Sequence, residues 1–229
     1  MCGRFTVSKS AEEVAKRFDV TVPTERYKRR YNGAPGDLLP VIASQSPKTL
    51  HFFKWGLLPG WTEAPPKGNG SINARIETVS EKPSFKFAYQ QQRCLVPADS
   101  YFEWKVNGKQ KIPYRIMLKD NPLFAFAGLW EKWEDPKTGK PLFSFCILTQ
   151  PAIHKMAHIH DRMPIILSRI NEKLWLDPDT DVQELHGLLK PPNESDLLYH
   201  TVSQQVNKVG NDSPDLLKPH QYSIQGSLF

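Results

Sequence analysis

LFAFAGLW (residues 123–130) and LFSFCILT (residues 142–149) are the two runs of sequence that decide the fold. Both are short and rich in aromatic and aliphatic side chains, as is typical of buried β-strands. The segment between them, DPKTGKP (135–141), is rich in turn residues. We therefore expect a hairpin in which the two strands pair antiparallel.

Further runs of the same character lie on the N-terminal side of this hairpin. They are LLPVIAS (38–44), TLHFFKW (49–55), RCLV (93–96) and IPYRIML (112–118). Strands and helices do not alternate strictly along the chain, which disfavours a doubly wound parallel sheet. The pattern predicts an α+β fold in which helices flank a mostly antiparallel, barrel-like sheet. No linker-like segment divides the chain, so we expect one domain over residues 1–229.

Helices are predicted at several places. Ser10 and Glu13 have the spacing of a capping box at the start of the first helix. Thr180 and Gln183 have the same spacing before the last one. The predicted helices after the first lie near residues 84–92, 151–157, 169–176 and 181–190. YNGAPG (31–36) is predicted to be a tight loop.

The composition limits the classes of function. The chain has 229 residues and a formal net charge of +6, which permits binding to polyanions such as nucleic acid. Its cysteines, Cys2, Cys94 and Cys146, have no CxxC spacing, which disfavours a disulfide framework or a zinc site. The N-terminus has no signal-peptide character and no run is apolar enough to span a membrane, so we expect a cytoplasmic protein without a membrane partner. Because there is no P-loop, Rossmann glycine motif or GxSxG elbow, no nucleotide cofactor is expected.

Cys2 follows the initiator methionine, and a small residue at this position usually permits removal of Met1. The product would carry an α-amine and a thiol on adjacent carbons, with reference pKa values of about 8 and about 8.5. Such a 1,2-aminothiol condenses with an aldehyde: the amine forms a Schiff base and the sulfur then closes a thiazolidine ring. The alternative is an incidental cysteine at a frayed terminus.

Two short motifs contain residues suited to contacts with a nucleic acid. In SINARIET (71–78), Asn73 and Arg75 are two residues apart and would share one face of a strand. Arginine binds phosphate well, and asparagine can orient a nucleophile or an aldehyde oxygen. The alternative is a loop-edge asparagine beside a solvated arginine. In WGLLPGW (55–61), Trp61 follows a Pro-Gly turn, where an exposed indole can stack on a base or a buried one can belong to the core.

Glu103 and His160 are the candidate acid–base residues. Glu103 lies in an aromatic run, PADSYFEWK (97–105), a setting that tends to raise the pKa of a carboxyl group. A glutamate that points out of a half-buried strand is the alternative. His160 precedes Arg162 and an apolar run, and a histidine there either exchanges protons or is structural. The neighbouring histidines lack the HExxH pattern, so no metal is expected.

Taken together, these segments resemble the SRAP family, the SOS response-associated peptidase-like proteins. In order along the chain they are MCGRF (1–5), RYNGAPG (30–36), WGLLPGW (55–61), INARIET (72–78), CLVPADSYFEW (94–104), HDRMPIIL (160–167) and VSQQVN (202–207). One segment alone is weak, whereas the whole series in this order is highly specific. The resemblance covers nearly the whole chain and implies one domain with a β-rich, barrel-like core.

The resemblance also implies an enzyme that crosslinks to abasic sites in single-stranded DNA through a thiazolidine of its N-terminal cysteine. The implied roles are crosslinking for Cys2, orientation for Asn73, proton transfer for Glu103 and stabilisation of the opened sugar's oxygen for His160. Phosphate contacts are implied for Arg4, Arg75 and Arg162, and base stacking or wedging for Pro35 and Trp61. We expect the protein to act as a monomer without a cofactor.

Two positions depart from the family's pattern. Gly33 stands where an apolar β-branched residue is usual, and Ser100 stands where a glycine is common. We expect Gly33 to loosen the loop that faces DNA. We expect Ser100 to resist any left-handed backbone conformation that a glycine would allow. Neither departure replaces a reactive group.

Two other functions stay open. A cysteine peptidase would use the Cys2 thiol with His160 as base and Glu103 or Asn73 as the orienting group, and removal of its own initiator methionine would be one such activity. A non-covalent single-strand binding module would use Trp61 and the arginines, with the cysteine incidental. The peptidase needs only the thiol, whereas a thiazolidine also needs the free amine. The binding module predicts reversible, salt-sensitive complexes.

Overall fold

The computed structural model describes residues 2–64, 68–108 and 110–222. Its strands are β1 (Phe5–Val7), β2 (Arg30–Gly33), β3 (Leu38–Ala43), β4 (Leu50–Trp55), β5 (Asn73–Arg75), β6 (Arg93–Ala98), β7 (Ser100–Asn107), β8 (Gln110–Leu118), β9 (Phe124–Glu134), β10 (Pro141–Pro151), β11 (Arg162–Pro164), β12 (Ile166–Leu167) and β13 (Leu197–Thr201). Its helices are α1 (Ala11–Phe18), α2 (Pro83–Gln91), α3 (His154–Ala157), α4 (Arg169–Leu176) and α5 (Val182–Leu188). Short 3-10 helices lie at Glu194–Asp196, Gln204–Asn207 and Pro214–Leu217.

A closed ring of strands forms the centre of the fold. Going round the ring, β10 pairs with β9, β9 with β6, β6 with β3 and β3 with β4, all antiparallel. A parallel pairing of β4 with β10 closes the ring. The predicted hairpin is confirmed, since β9 and β10 flank the 135–140 turn. The fold is therefore α+β with a mostly antiparallel barrel, as predicted.

A second sheet lies beside the barrel and brings the N-terminus to it. Its strand order is β13-β8-β7-β1-β2, with every pairing antiparallel. Phe5 on β1 makes edge-on ring contacts with Trp55 and Phe126 of the barrel, at centroid distances of 5.0 and 5.8 Å. Such contacts bury large apolar areas and fix the relative position of the two sheets. The start of the chain is therefore held against the barrel.

The strand β5 pairs parallel to β10 just beyond the point where β4 leaves it. On the same strand β10, residues 149–151 pair with β11. These short additions place the INARIET and HDRMPIIL segments on opposite edges of the same end of β10, although about eighty residues separate them in the sequence.

The local helix signals were right in one case and wrong in another. Ser10 caps α1 and forms the predicted box with Glu13, with N–O distances of 3.2 and 2.8 Å. At α5, the capping box predicted for Thr180 and Gln183 is wrong. Asp181 caps this helix by accepting from the Gln183 N–H at 2.7 Å, while the Thr180 hydroxyl donates to the Leu174 carbonyl. The adjacent carboxylate is an equally good cap and lies one residue closer to the helix.

The tight loop predicted for residues 31–36 is a second correction. Residues 30–33 form β2, which pairs with β1, and the chain turns only afterwards. Asp37 completes that turn, because its carboxylate accepts from the Ala34 N–H at 3.0 Å. The Gly36 backbone, at φ 95°, has a conformation that favours glycine.

Of the two departures from the family's pattern, Gly33 behaves differently from the expectation, whereas Ser100 agrees with it. A Cβ at Gly33 would lie 3.1 Å from the Phe5 carbonyl oxygen and 3.2 Å from Leu39, so Gly33 permits close strand packing rather than a loose loop. Ser100 has no left-handed backbone; among the described non-glycine residues only Asp19 does. The Ser100 hydroxyl lies 2.6 Å from that of Thr6 and is therefore part of a buried polar contact between β7 and β1.

Within the described residues, no helix is both long enough and apolar enough to cross a membrane. The prediction of one domain over residues 1–229 stays a prediction, and Met1 and residues 223–229 lie outside the described residues.

Candidate active site

Cys2 is buried, although it stands at the beginning of the chain. Its side chain has no exposed surface, and its Sγ lies 3.9 Å from the carbonyl oxygen of Arg4. Burial, and secondarily the negative charge of Glu103, raises the pKa of the Cys2 thiol. A frayed, incidental terminal cysteine does not fit these surroundings. Met1 lies outside the described residues, so its removal stays a prediction.

Asn73 fixes the backbone of Cys2. The pairing of β5 with β10 sets Asn73 opposite Ile147, and its Nδ2 donates to the Cys2 carbonyl oxygen at 2.9 Å. Its Oδ1 is buried and has no hydrogen-bond partner among the described residues. The side chain is therefore not that of a loop-edge asparagine: it holds Cys2 and leaves a buried acceptor next to it.

Glu103 lies on the inner face of β7. Tyr101, two residues earlier on the same face, belongs to the main core together with Cys2. Phe102, on the opposite face, packs in a smaller cluster under the C-terminal 3-10 helices. Glu103 is only 3% exposed, and burial raises the pKa of its carboxyl while the charge of His160 acts in the opposite direction. The alternative of a solvent-facing glutamate is contradicted.

His160 precedes β11 and is anchored through Nδ1. This nitrogen accepts from the Arg162 backbone N–H at 3.0 Å and lies 2.8 Å from Asp161 Oδ1. The two contacts make opposite demands, since the carboxylate favours a proton on Nδ1 and the N–H excludes it. Because the Asp161 side chain is 83% exposed and screened by water, the backbone contact decides the assignment. In the tautomer that this contact favours, Nε2 carries the proton.

The structure brings the four predicted catalytic residues together from four distant segments. Asn73 touches Cys2, and the charges of Glu103 and Cys2, and of His160 and Glu103, act on each other. Such a group can orient an N-terminal cysteine and exchange protons next to it. The described residues contain no cluster of three or more His, Cys, Asp or Glu side chains able to hold a metal ion.

The three predicted phosphate-binding arginines differ in their availability. Arg4 donates from Nη1 to Asn32 Oδ1 at 3.0 Å and to the Val206 carbonyl at 2.7 Å. Arg162 forms a bidentate ion pair with Glu77, in which Nη1 and Nη2 lie 2.5 and 3.0 Å from the two carboxylate oxygens. Arg75 is exposed, two residues after Asn73 on β5.

Arg162 also donates to the Thr149 carbonyl at 2.7 Å, which fixes its guanidinium between β10 and β11. A phosphate contact by Arg162 would have to share or displace the carboxylate of Glu77. The geometry therefore gives Arg75 the most open approach to an anion.

Pro35 and Trp61 lie in neighbouring loops. Pro35 is half-buried, and its carbonyl accepts from Asn69 Nδ2 at 3.1 Å. The Trp61 side chain is 69% exposed, so it does not belong to the core. The next residue is anchored to the barrel, because Trp133 Nε1 donates to the Thr62 carbonyl at 2.6 Å. An exposed indole next to an anchored residue is suited to stacking on a planar ring.

The sequence reasoning missed three residues of this region. Asn32 is buried and its Nδ2 reaches the carbonyls of Val206 and Asn211, at 3.2 and 2.8 Å. Glu77 holds Arg162. Tyr101 places a buried hydroxyl near Cys2. Only Tyr101 carried a usable signal, since it stands two residues from Glu103 and would share its face of a strand.

Comparison with known proteins places this geometry in a family. A sequence model of the SOS response associated peptidase (SRAP) family matches residues 1–209. The chain is 44% identical to the abasic site processing protein YoqW of Bacillus subtilis, over 96% of this chain and all of the relative. It is 32% identical to YedK of Escherichia coli, over the same shares. It is also 32% identical to HMCES of Gallus gallus, over 87% of this chain and 68% of the relative; both are likewise named abasic site processing proteins.

Among solved structures, a protein from Bacteroides thetaiotaomicron has the same fold. Its TM-score is 0.88 at 29% identity, over 96% of this chain and all of the other. The family model covers most of the chain, and the three relatives named above exceed 30% identity over more than two thirds of their length. The chain therefore belongs to the SOS response associated peptidase (SRAP) family.

Proposed function

We propose that this protein processes abasic sites in single-stranded DNA by bonding to them covalently through Cys2, once Met1 has been removed. The relatives named abasic site processing proteins support the substrate class. The observation that carries the proposal is the contact between Asn73 and the Cys2 carbonyl, with the Glu103 carboxyl buried close to the thiol. That arrangement holds an N-terminal cysteine beside a group that can exchange protons.

The bonds made and broken balance as follows. The α-amine of Cys2 adds to the C1′ aldehyde of the opened abasic sugar, and one amine proton moves to the oxygen to give a carbinolamine. Glu103, as the acid, protonates this hydroxyl, which leaves as water and gives an iminium ion. The thiol then adds to the same carbon and its proton returns to Glu103. The product is a thiazolidine and one water is released.

The shifted pKa values suit these steps. Burial raises the pKa of the Glu103 carboxyl, so that it holds a proton more readily than a solvent-exposed glutamate and is better suited to act as an acid. The thiol pKa is also raised, so the sulfur keeps its proton until the iminium ion has formed. His160, with its proton on Nε2, is assigned to the O4′ oxygen that is released when the sugar ring opens. Asn73 orients Cys2 throughout.

DNA is held by the surface around this site. Arg75 supplies an exposed cation two residues from Asn73, and Trp61 supplies an exposed indole. Binding of the phosphates keeps the aldehyde near the amine and so raises its effective concentration. We assign Arg4 and Arg162 to phosphates at the edge of the site and Pro35 to base contacts, and we infer that one protein molecule suffices.

A thiol peptidase is the weaker candidate. Peptide attack requires the thiolate, and reactive cysteines have a lowered pKa in an electropositive setting. Cys2 has the opposite environment, because burial and the charge of Glu103 both disfavour its thiolate. Amine attack needs no thiolate and therefore fits this environment better.

A denaturing gel tests the proposal. The Met1-processed protein is mixed with single-stranded DNA that contains one abasic site, and with intact DNA of the same sequence. We expect a shifted band only with the abasic DNA. Cys2→Ala should abolish the band, whereas Cys94→Ala should retain it, because Cys94 is an equally buried thiol in the barrel wall.

Two results would contradict the proposal. A shifted band with Cys2→Ala would place the bond elsewhere. A complex that forms on a native gel but leaves no shifted band in denaturant would support a non-covalent single-strand binding module instead.

A further inference from the structure

Tyr101 carries a hydroxyl group that the fold itself does not use. The side chain is 1% exposed, and the hydroxyl has no hydrogen-bond partner among the described residues. Burying a hydroxyl without a partner costs free energy, so native proteins rarely retain one without a reason. Phenylalanine would fill the same space, with the same edge-on contact to Phe126, and would avoid this cost.

The position of Tyr101 directs this hydroxyl toward the reacting groups. Tyr101 and Glu103 alternate along β7 and share its inner face, and Tyr101 pairs with Phe5 three residues after Cys2. Burial raises the pKa of the Tyr101 phenol, and the charges of Cys2 and Glu103 raise it further. The phenol therefore keeps its proton and is a hydrogen-bond donor close to the thiol and the carboxyl.

The groups around Cys2 divide into complementary roles. Asn73 Oδ1 is a buried acceptor and Tyr101 is a buried donor, each without a partner in the described parts of the chain. An opened abasic sugar brings both kinds of atom: an aldehyde oxygen that only accepts, and a hydroxyl that also donates. The acceptor and the donor near Cys2 that are unpaired among the described residues therefore match the hydrogen-bonding groups of the substrate of the proposed function.

We propose that the Tyr101 hydroxyl donates a hydrogen bond to the aldehyde oxygen on C1′ and polarises that carbonyl for attack by the Cys2 amine. The inference rests on the proposed function and adds a further catalytic residue to it. Tyr101 keeps its proton throughout, so the balance of the reaction is unchanged: the oxygen still leaves as water with the proton from Glu103. The hydrogen bond strengthens as negative charge develops on the oxygen.

The test uses Tyr101→Phe with Tyr89→Phe as the matched control. Tyr89 is likewise fully buried with a hydroxyl that lacks a partner in the described residues, but it packs on Trp175, away from Cys2. We expect both variants to melt at or above the temperature of the parent protein, because each removes an unsatisfied polar group.

The crosslinking rate separates the two variants. With saturating abasic single-stranded DNA, Tyr101→Phe should crosslink about five- to tenfold more slowly, the loss expected for one neutral hydrogen bond in the transition state. Tyr89→Phe should keep the parent rate. The DNA concentration that gives half the maximal rate should be unchanged in both, because the hydroxyl acts on the chemical step.

Each other outcome overturns the assignment. An unchanged rate in Tyr101→Phe means that the hydroxyl is not used. A slower rate accompanied by a lower melting temperature, or by weaker binding of intact DNA, means a structural role. If the parent protein forms no adduct, the proposed function falls and the role of Tyr101 with it, whereas a normal parent rate with an unaffected Tyr101→Phe overturns only the role of Tyr101.

Discussion

Cysteine thiols are buried in two regions of this molecule with very different surroundings. Cys94 on β6 and Cys146 on β10 lie in the barrel wall, and Cys2 lies where the second sheet meets the barrel. All three are fully buried, and burial raises the pKa of each thiol. Burial and thiol pKa therefore do not distinguish a reactive cysteine from a structural one.

The neighbours make the difference. A Cβ on Gly128 would lie 2.8 Å from Cys94 Sγ, so the barrel wall has no room for another molecule at that thiol. Around Cys2, Asn73 and Tyr101 each bury a polar atom that has no partner in the described part of the chain, and Glu103 adds a titratable carboxyl. Close packing leaves no space beside the Cys94 thiol, whereas buried polar groups without a hydrogen-bond partner among the described residues lie around Cys2.

The largest effect on the crosslinking rate is expected from a comparison in which two buried carboxyls, one from each region, are replaced in turn. Glu103 lies near Cys2, and Glu131 lies on β9 of the barrel; burial raises the pKa of both. Glu103→Gln should slow crosslinking by roughly a hundredfold or more, the usual contribution of a general acid–base group. Glu131→Gln should leave the rate unchanged. Single-turnover crosslinking at pH 7 measures both, and equal losses would mean that burial of a carboxyl, rather than its place beside Cys2, matters.

A smaller effect is expected from Arg75 on DNA binding. Arg75→Ala should weaken non-covalent binding to single-stranded DNA and reduce the slope of log affinity against log salt by about 0.7, the value for one phosphate. Lys173→Ala is the control, because this exposed lysine lies on α4, which covers the strand of Cys94. Fluorescence anisotropy over a range of salt measures the slopes. Equal slopes in Arg75→Ala and the parent protein would remove Arg75 from the DNA surface.

The smallest effect concerns stability and pH. Burial raises the pKa of Glu131 from 4.5 to about 7, against the opposing effect of a hydrogen bond from the Gly60 backbone. Between these values the folded protein holds a proton that the unfolded chain has released, so the free energy of unfolding falls as pH rises through this window. Glu131→Gln should remove that share of the fall, at most about 2–3 kcal/mol from the shift itself and on the order of 1 kcal/mol once screening by solvent is taken into account. Urea unfolding at pH 5 and pH 8 measures it, and an identical pH dependence in the variant would show that Glu131 titrates normally.

The parts of the fold that depend on local signals could be predicted from the sequence. The Ser10–Glu13 box needs only residues three apart, and the β9–β10 hairpin needs only two apolar runs around a turn. At α5, two adjacent residues could both cap, and spacing alone could not choose between Thr180 and Asp181. Strand β2 was missed because its pairing with β1 joins segments far apart in the chain.

The site was harder to predict, for the same physical reason. No spacing rule relates Cys2 to Asn73, Glu103 and His160, and only the resemblance to a family grouped them. The partners of Arg4 and Arg162 also come from distant segments, so the sequence could not show that Arg162 forms an ion pair with Glu77. The polar atoms left unpaired next to Cys2 can be found only by accounting for hydrogen bonds in the folded structure.

The intact mass of the protein–DNA adduct tests the central claim most directly. The parent protein, without Met1, is compared with a chain that has one alanine inserted between Met1 and Cys2, which keeps the thiol but moves the free amine to another residue. The account predicts an adduct of protein plus abasic DNA minus one water for the parent, and no stable adduct for the insertion variant. An adduct of the same kind from the insertion variant would contradict it, because the bond would then form without the 1,2-aminothiol.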